Sequence, residues 1–353
     1  MGSAQGLCQF NCSRNRRRPA PPGRLEHTSR ARQDFTCRAA VSLTPPRVQS
    51  GFSLTELMVA STVGLLLLSS VVALFVSSKR AYVETERHGF LADNGRHALD
   101  ILAEDLRLVD FWGAARAVDV APHAALDDVS SDCSAAAAGF LTSTALFAKT
   151  ADAATVFDCV TDAAVGSEVL VVKHVATTPT PAADLRADQT YLAANLADAL
   201  LFDGADTPPS LAVGGDIPNG AYWEYRASIY YVSDTATVPT LFRKQLIGGV
   251  WSASEEIAAG VERLVVTYGV DTNGDAAADQ YVSSAGADWS KVVSLKFYLL
   301  MRSEQADSRY VDANTYQLGP VTFDPTPNDG FRRAVFDTTV TLRNRQLLLA
   351  GGL

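Results

Sequence analysis

Four carboxylate or carboxamide side chains within nine residues are the clearest candidate for metal chemistry in this sequence. The stretch DTNGDAAAD, residues 271–279, contains Asp271, Asn273, Asp275 and Asp279. Calcium prefers six or more hard oxygen ligands, and a glycine allows the tight turn that gathers them. The helix-loop-helix calcium signature needs glycine at its sixth position and glutamate at its twelfth; this stretch has Ala276 and no such glutamate. Two hypotheses stay open: a calcium site with these four residues as ligands, or a polar hairpin that turns at Asn273-Gly274.

A lone carboxylate, Glu56, lies at the start of a long apolar run. The run, Leu57 to Val76, is 20 residues without a charge, enough to cross a hydrocarbon core of about 30 Å at 1.5 Å per residue. A carboxylate inside a membrane helix costs roughly 2.5–3.5 kcal/mol and marks a functional site by default. Alternatively, Glu56 lies at the membrane interface and favours the positive end of the helix dipole.

Two cysteines, Cys133 and Cys159, lie in the body of the chain, 26 residues apart. In an oxidising compartment we expect them to form a disulfide, worth about 3–4 kcal/mol by the chain-entropy model. Two unpaired thiols are the alternative, because spacing alone does not prove pairing. The other three cysteines, Cys8, Cys12 and Cys37, belong to the first fifty residues.

Sequence motifs for catalysis are lacking. The chain contains no GxSxG, HExxH, Walker or GxGxxG motif, and its five histidines are scattered. His88 and His97 lie nine residues apart on a predicted helix, which is not a metal-ligand spacing, and His123 and His174 have no obvious carboxylate or cysteine cluster. Because catalytic groups can converge from distant positions, a membrane-anchored periplasmic binding or enzymatic domain stays the alternative of another class; the prediction is no enzyme.

The first fifty residues differ from the rest. They contain nine Arg, no Lys, and only Glu26 and Asp34 as acids, whereas residues 51–353 contain 21 basic and 37 acidic side chains. An acidic body repels phosphate backbones, so we expect no nucleic-acid partner. The basic segment is a cytoplasmic leader, a nucleic-acid arm, or sequence upstream of a true start near Val41; the first and last are favoured.

The apolar run predicts a membrane anchor, not a cleaved secretory signal, whose apolar region is shorter and nearer the N-terminus. Arginines before Gly51 predict that the preceding segment stays in the cytoplasm and that the acidic body lies outside. A helical apolar period continues beyond Arg80. We therefore predict one helix from Phe52 to about Val109 whose outer half packs on a globular head.

The head is predicted to be β-rich. Apolar or alternating runs indicate strands, with loops and short elements at 113–166 and a proline-rich connection at 176–220. The predicted strands are Glu168–Val175, Ala221–Val232, Leu241–Ile247, Val261–Val270, Lys291–Met301 and Arg333–Leu342. The last of these strands is expected to pair near the sheet centre. The expected class is α+β, a long N-terminal helix on an antiparallel sheet.

The stretch GFSLTELM, residues 51–58, resembles the class III signal of the type IV pilin superfamily. The resemblance implies that a prepilin peptidase cuts between Gly51 and Phe52 and methylates Phe52. Glu56 would then be the fifth mature residue and would offset the amine of a neighbouring Phe52 during assembly. The 51-residue leader is long for this superfamily, and the helix lacks the proline of many major pilins.

The final run, residues 331–345, with the pattern RR.VF.TTV.LRNR, and the loop YGVDTNGD resemble the PilW group of minor pilins. The resemblance implies a structural subunit that primes pilus assembly at the fibre tip. Its partners would be other minor pilins, the major pilin, a tip adhesin and the prepilin peptidase. The implied location is the bacterial inner membrane with a periplasmic head, then the extracellular pilus. A J-type pseudopilin of a type II secretion system is the nearest alternative.

The predicted organisation has four parts: leader 1–51, transmembrane assembly helix 52–78, periplasmic half of the helix 79–112, and head 113–353.

Overall fold

The fold is taken from a computed structural model, which describes residues 51–326 and 329–349. The predicted leader, with Cys8, Cys12 and Cys37, lies outside the described residues apart from Gly51. In chain order the helices and strands are α1 (Leu54–Leu106), β1 (Val120–Pro122), β2 (Leu146–Thr150), β3 (Glu168–Val175), β4 (Thr190–Ala194), β5 (Ala199–Asp203), β6 (Ala221–Ser233), β7 (Thr240–Ile247), β8 (Val250–Trp251), β9 (Glu255–Ala259), β10 (Val261–Val270), β11 (Gln280–Val282), β12 (Val292–Arg302), β13 (Tyr316–Leu318), β14 (Val321–Phe323), β15 (Arg333–Thr341) and α2 (Arg343–Leu349).

The chain divides into two units after Leu67. The described part of the first unit is the start of α1 and the three residues before it. The second unit runs from Leu68 and contains the rest of α1 and all the strands. α1 confirms the predicted long helix. It is a candidate membrane span, because an 18-residue window within it has a mean hydropathy of 2.4 and none of that window is buried.

The later turns of α1 form part of the hydrophobic core. Their buried residues recur at spacings of three and four, which is the period of one helix face. These residues are Leu91, Gly95, Ala98, Leu99, Leu102, Ala103 and Leu106. Gly95 is required by close packing, because a Cβ there would lie 2.8 Å from the Phe336 ring of β15.

The larger sheet has nine strands. Its main path is β1-β5-β4-β6-β3-β2, and β7 adds to β6 and pairs with β8 and β9. All pairs are antiparallel except β1 with β5. Every residue of β3 and of β4 is buried. Strands covered on both faces contain continuous apolar runs, which explains the segment VLVV within β3.

The smaller sheet has the antiparallel order β11-β10-β12-β15, and β13 pairs with β14 in a separate hairpin. In β15 the register places Phe336 opposite Leu299 and Val340 opposite Leu295. β15 therefore lies at the edge of its sheet, and the predicted position near the sheet centre was wrong. An exposed edge strand can pair with another chain, and charged side chains oppose such pairing. β15 has exposed charged and Thr side chains, including Asp337 and Thr339.

The six predicted strands are present, with ends shifted by at most one residue. The predicted proline-rich connection at 176–220 was wrong, since it contains the paired strands β4 and β5. Their sequences, TYLAA and ALLFD, are short and lack strict alternation because β4 is buried throughout.

Candidate functional site

The candidate processing segment lies at the start of α1. Gly51, Phe52 and Ser53 precede the helix and are exposed. Ser53 caps it: the Ser53 hydroxyl oxygen accepts a hydrogen bond from the Glu56 backbone N–H at 3.2 Å, and the Ser53 carbonyl accepts one from Leu57 at 3.1 Å. The helix thus begins two residues after the predicted scissile bond, and that bond lies in accessible, non-helical backbone.

The Glu56 carboxylate has no hydrogen-bonding or ionic partner among residues 51–326 and 329–349. Ser53-Leu54-Thr55-Glu56 has the spacing of a capping box, but the return bond from the Glu56 side chain is not formed. Local capping therefore leaves this carboxylate available for a partner outside the chain.

The apolar run exposes its side chains all round the helix. From Leu57 to Val76 the large apolar side chains are 39% to 69% exposed. A continuous apolar surface of this size needs lipid or neighbouring helices to cover it.

The head contains the expected disulfide between Cys133 and Cys159. Cys133 is buried, and the following turn is held by Lys173 of β3. The Lys173 ammonium donates hydrogen bonds to the carbonyls of Ala136, Ala138 and Leu141 at 3.1, 2.6 and 2.8 Å. The disulfide and the buried ammonium together fix a loop that has almost no regular structure of its own.

Removing the disulfide should destabilise the head. We expect a Cys133→Ser, Cys159→Ser double variant to lose about 3–4 kcal/mol of unfolding free energy, because the 26-residue separation is no longer closed in the unfolded chain. Urea unfolding of the oxidised parent and the variant measures this. The reduced parent is the matched control and should fall to the variant's midpoint; a variant as stable as the oxidised parent would contradict the prediction.

Lys173 should give the head a distinct pH dependence. Burial lowers the pKa of Lys173 to about 7, although the charge of Asp132 opposes that shift; an unfolded lysine has a pKa of about 10.4. Between these values the unfolded chain binds the additional proton, so this group makes stability rise with pH, by at most about 1.4 kcal/mol per pH unit.

The comparison that isolates this effect is the parent against Lys173→Met, unfolded in urea from pH 6 to pH 9. The parent should gain stability relative to the variant above pH 7 and run parallel to it below pH 7. Parallel curves over the whole range would show that Lys173 does not titrate there.

A buried polar cluster joins α1 to the larger sheet. Asp105 of α1 lies 2.9 Å from His174 Nε2 in β3, and the Tyr230 hydroxyl of β6 donates to Asp105 at 2.9 Å. His174 Nδ1 lies 2.9 Å from the Val175 carbonyl, which can only accept. Both bonds of His174 are made when the imidazole carries two protons and Asp105 is ionised. Burial raises the pKa of Asp105, but the hydrogen bonds and charge of His174 outweigh burial and hold it below the ordinary value.

The C-terminal arginine motif anchors the smaller sheet. The Arg333 side chain is 2% exposed and contacts three carboxylates, Glu262 at 2.5 Å, Asp312 at 2.9 Å and Asp329 at 2.5 Å. Arg345 of α2 binds Asp110. These arginines thus have structural partners, which the sequence motif alone did not identify.

The 271–279 stretch connects β10 to β11 as a hairpin. The four candidate ligands come together, since the Asn273 amide donates to Asp279 at 3.0 Å and to Asp275 at 3.4 Å. Their oxygens also accept internal donors: Asp271 binds the backbone N–H of Asn273, Gly274 and Ala276. The bond from Gly274 is the largest cause of a lowered Asp271 pKa. The polar hairpin therefore accounts for these contacts, and calcium binding stays a prediction. Over the described residues no cluster of three or more His, Cys, Asp or Glu side chains has metal-site geometry.

Sequence reasoning missed the Asp105 cluster and Lys173. The partners of Asp105 lie 69 and 125 residues away in the sequence, and those of Lys173 lie 32 to 37 residues away. The one available signal was a Lys-His pair inside the otherwise apolar strand EVLVVKHV, because buried charges are found where partners satisfy them.

Two family models match the chain. The Prokaryotic N-terminal methylation motif matches residues 46–72, and Type IV Pilus-assembly protein W matches residues 229–344. No curated protein sequence matches. Among solved structures, the chain is similar to a type IV-like pilin from Thermus thermophilus, with 16% identity over 72% of this chain and 97% of that chain and a TM-score of 0.33.

A prepilin methylation motif at the start of an exposed apolar helix, followed by a β-rich head, is the organisation that the sequence predicted for a type IV pilin. Residues 229–344, which run from within β6 to the start of α2, match the family model of Type IV Pilus-assembly protein W, so this part of the chain is similar to that family. This match supports the pilus over the secretion-system alternative.

Proposed function

We propose that this chain is a PilW-type minor pilin of a type IV pilus, that it is cut between Gly51 and Phe52 and methylated on Phe52, and that it joins other minor pilins to prime a pilus at its tip. The observation that carries the proposal is the Glu56 carboxylate, which has no partner among the described residues and lies one helical turn from the predicted new N-terminus. A freed Phe52 amine on a neighbouring subunit has the charge that this carboxylate needs in a low-dielectric bilayer.

The apolar run supports a single membrane pass before assembly and helix-to-helix packing afterwards. The nine arginines of the first fifty residues favour a cytoplasmic N-terminal segment, a bacterial inner-membrane location and a periplasmic head. After assembly the head would be extracellular. The major pilin, a tip adhesin and the prepilin peptidase are the remaining proposed partners.

N-terminal analysis of the membrane-extracted protein tests the processing step. In cells with an active prepilin peptidase we expect a methylated N-terminal Phe52; an intact Gly51–Phe52 bond would overturn the proposal. The same measurement sets the length of the leader.

A Glu56→Gln variant tests assembly separately from processing. The variant should be cut normally and stay in the membrane. Its amount in the sheared-fibre fraction should be at least tenfold lower than that of the parent, because the loss of a charge pair worth about 1.4 kcal/mol lowers an equilibrium constant tenfold. Ser53→Ala, which removes the helix cap without changing charge, is the matched control. Glu56→Gln protein found in fibres at the parent level would contradict the role of the carboxylate.

A further inference from the structure

A cleft of about 790 Å³ opens beside α1 within the second unit, at the point where the apolar run ends. One wall is formed by α1 from Val76 to Arg87. The other wall is formed by Asp307, Arg309, Tyr310 and Arg332. The volume is in the range of pockets that hold small organic ligands.

The cleft is basic in an otherwise acidic body. Five basic side chains line it against two acidic ones, and both acids are already paired. Arg87 binds Asp307 at 2.9 Å, and Arg332 binds Glu84 at 2.9 Å. The remaining three cations, Lys79, Arg80 and Arg309, form no ion pair within the described part of the chain.

The position of these three cations indicates which kind of anion the cleft would bind. Lys79 and Arg80 follow Val76 within about one helical turn, where a membrane helix leaves the hydrocarbon and where Lys and Arg reach toward lipid phosphates. Val76 and Val83 add apolar wall to the same cleft, and Tyr310 adds an aromatic ring of the kind found at membrane interfaces. An arginine such as Arg309 can bind phosphate oxygens through two parallel hydrogen bonds.

We propose that this cleft binds the phosphate headgroup of an anionic membrane phospholipid, with Lys79, Arg80 and Arg309 as its cations. The inference rests on the proposed membrane anchoring of the subunit. An acidic surface of another pilin is the competing occupant, but it would have no need for an apolar wall at the end of the membrane span.

Native mass spectrometry of the full chain released from detergent micelles tests the proposal. The probes are phosphatidylglycerol, phosphatidylcholine with the same acyl chains, and inorganic phosphate. Phosphatidylglycerol should bind at least tenfold more tightly than phosphatidylcholine. Arg309→Gln and Lys79→Gln should each weaken phosphatidylglycerol binding about fivefold, the effect of one interfacial cation. Arg343→Gln is the matched control and should have no effect, because Arg343 is exposed and forms no ion pair with any residue that the structure describes.

Equal affinity for the two lipids, or equal loss in Arg309→Gln and Arg343→Gln, would overturn the proposal. Inorganic phosphate bound as tightly as phosphatidylglycerol would also overturn it, since the site would then be one for free phosphate. If lipid selectivity is lacking and Arg309→Gln instead lowers incorporation into fibres at normal stability, the occupant is another pilin. Because lipid binding is read on the purified chain, a failure of processing at Gly51 is a separate result.

Discussion

Replacing Arg333 with methionine should lower the unfolding free energy of the head by about 4 kcal/mol, since removing one member of a buried ion-pair network costs 3–5 kcal/mol. The Arg333 side chain is 2% exposed, and Glu262, Asp312 and Asp329 converge on it with side-chain exposures of 14%, 0% and 15%. Without the guanidinium, three carboxylates with little access to water repel one another. In a domain of this size we expect a fall in Tm on the order of 10 °C.

The pH dependence should change sign in the same variant. Burial raises the pKa of Asp312 and of Asp329, but the hydrogen bonds from Arg333 outweigh burial and hold both values below the ordinary range. In the parent these two groups therefore contribute stability above about pH 4 that is lost on acidification. Without Arg333, burial would raise their pKa values, so the variant should become more stable as the pH falls from 7 toward 5.

Thermal unfolding at pH 5 and pH 7 measures both effects. Arg333→Lys should lie between parent and Arg333→Met, because one ammonium keeps the charge but cannot match the planar contacts to three carboxylates. Arg343→Met, an exposed arginine at the start of α2, is the matched control and should change Tm by less than about 2 °C. An Arg333→Met variant with the same Tm as the parent would show that the ion-pair network adds no net stability.

Local patterns were enough to predict the parts of this fold that repeat along the chain. α1 has an uninterrupted apolar run followed by a helical period, and β6 and β10 have long runs of aromatic and β-branched residues. β4 and β5 were missed because five-residue, Ala- and Leu-rich segments between prolines have no distinctive period. The edge position of β15 was missed because sheet order depends on which strands pair, and its sequence pattern does not determine that.

The candidate site follows the same division. Gly51, Phe52 and Glu56 form a contiguous motif, so their spacing was visible in the sequence and the methylation-motif match covers them. The basic cleft could not be predicted from the sequence, because only the fold brings Arg309 into the same cleft as Lys79 and Arg80. The polar anchors of the head are likewise products of long-range pairing, and the Asp105 cluster is the one that ties α1 to the larger sheet.

Asp105→Ala should lower the unfolding free energy of the head by about 3 kcal/mol at pH 7, at the lower end of the cost of breaking a buried pair because the carboxylate is 18% exposed. His174, at 1% exposure, would lose the partner of its Nε2 proton, and the Tyr230 hydroxyl would lose its acceptor. Since Asp105 lies on the last turn of α1, the loss should fall on the junction between that helix and strands β3 and β6.

The sign of the pH effect follows from the lowered pKa of Asp105. A carboxylate whose pKa is lower in the folded state contributes stability above its unfolded pKa, about 3.9, and loses it as the pH falls through the folded value. The stability difference between parent and Asp105→Ala should therefore be largest near pH 7 and shrink below pH 4.

Glu104→Ala is the matched control, because Glu104 is the exposed neighbour on the same helix and its removal takes away the same charge. Thermal unfolding of the three proteins from pH 3 to pH 7 should show a Tm fall of about 6–12 °C for Asp105→Ala alone. An equal fall in Glu104→Ala would assign the effect to helix charge; a pH-independent difference would assign it to packing. Only a loss specific to Asp105 that fades in acid identifies the ionised Asp105 carboxylate, bonded to His174 and Tyr230, as the link between α1 and the larger sheet.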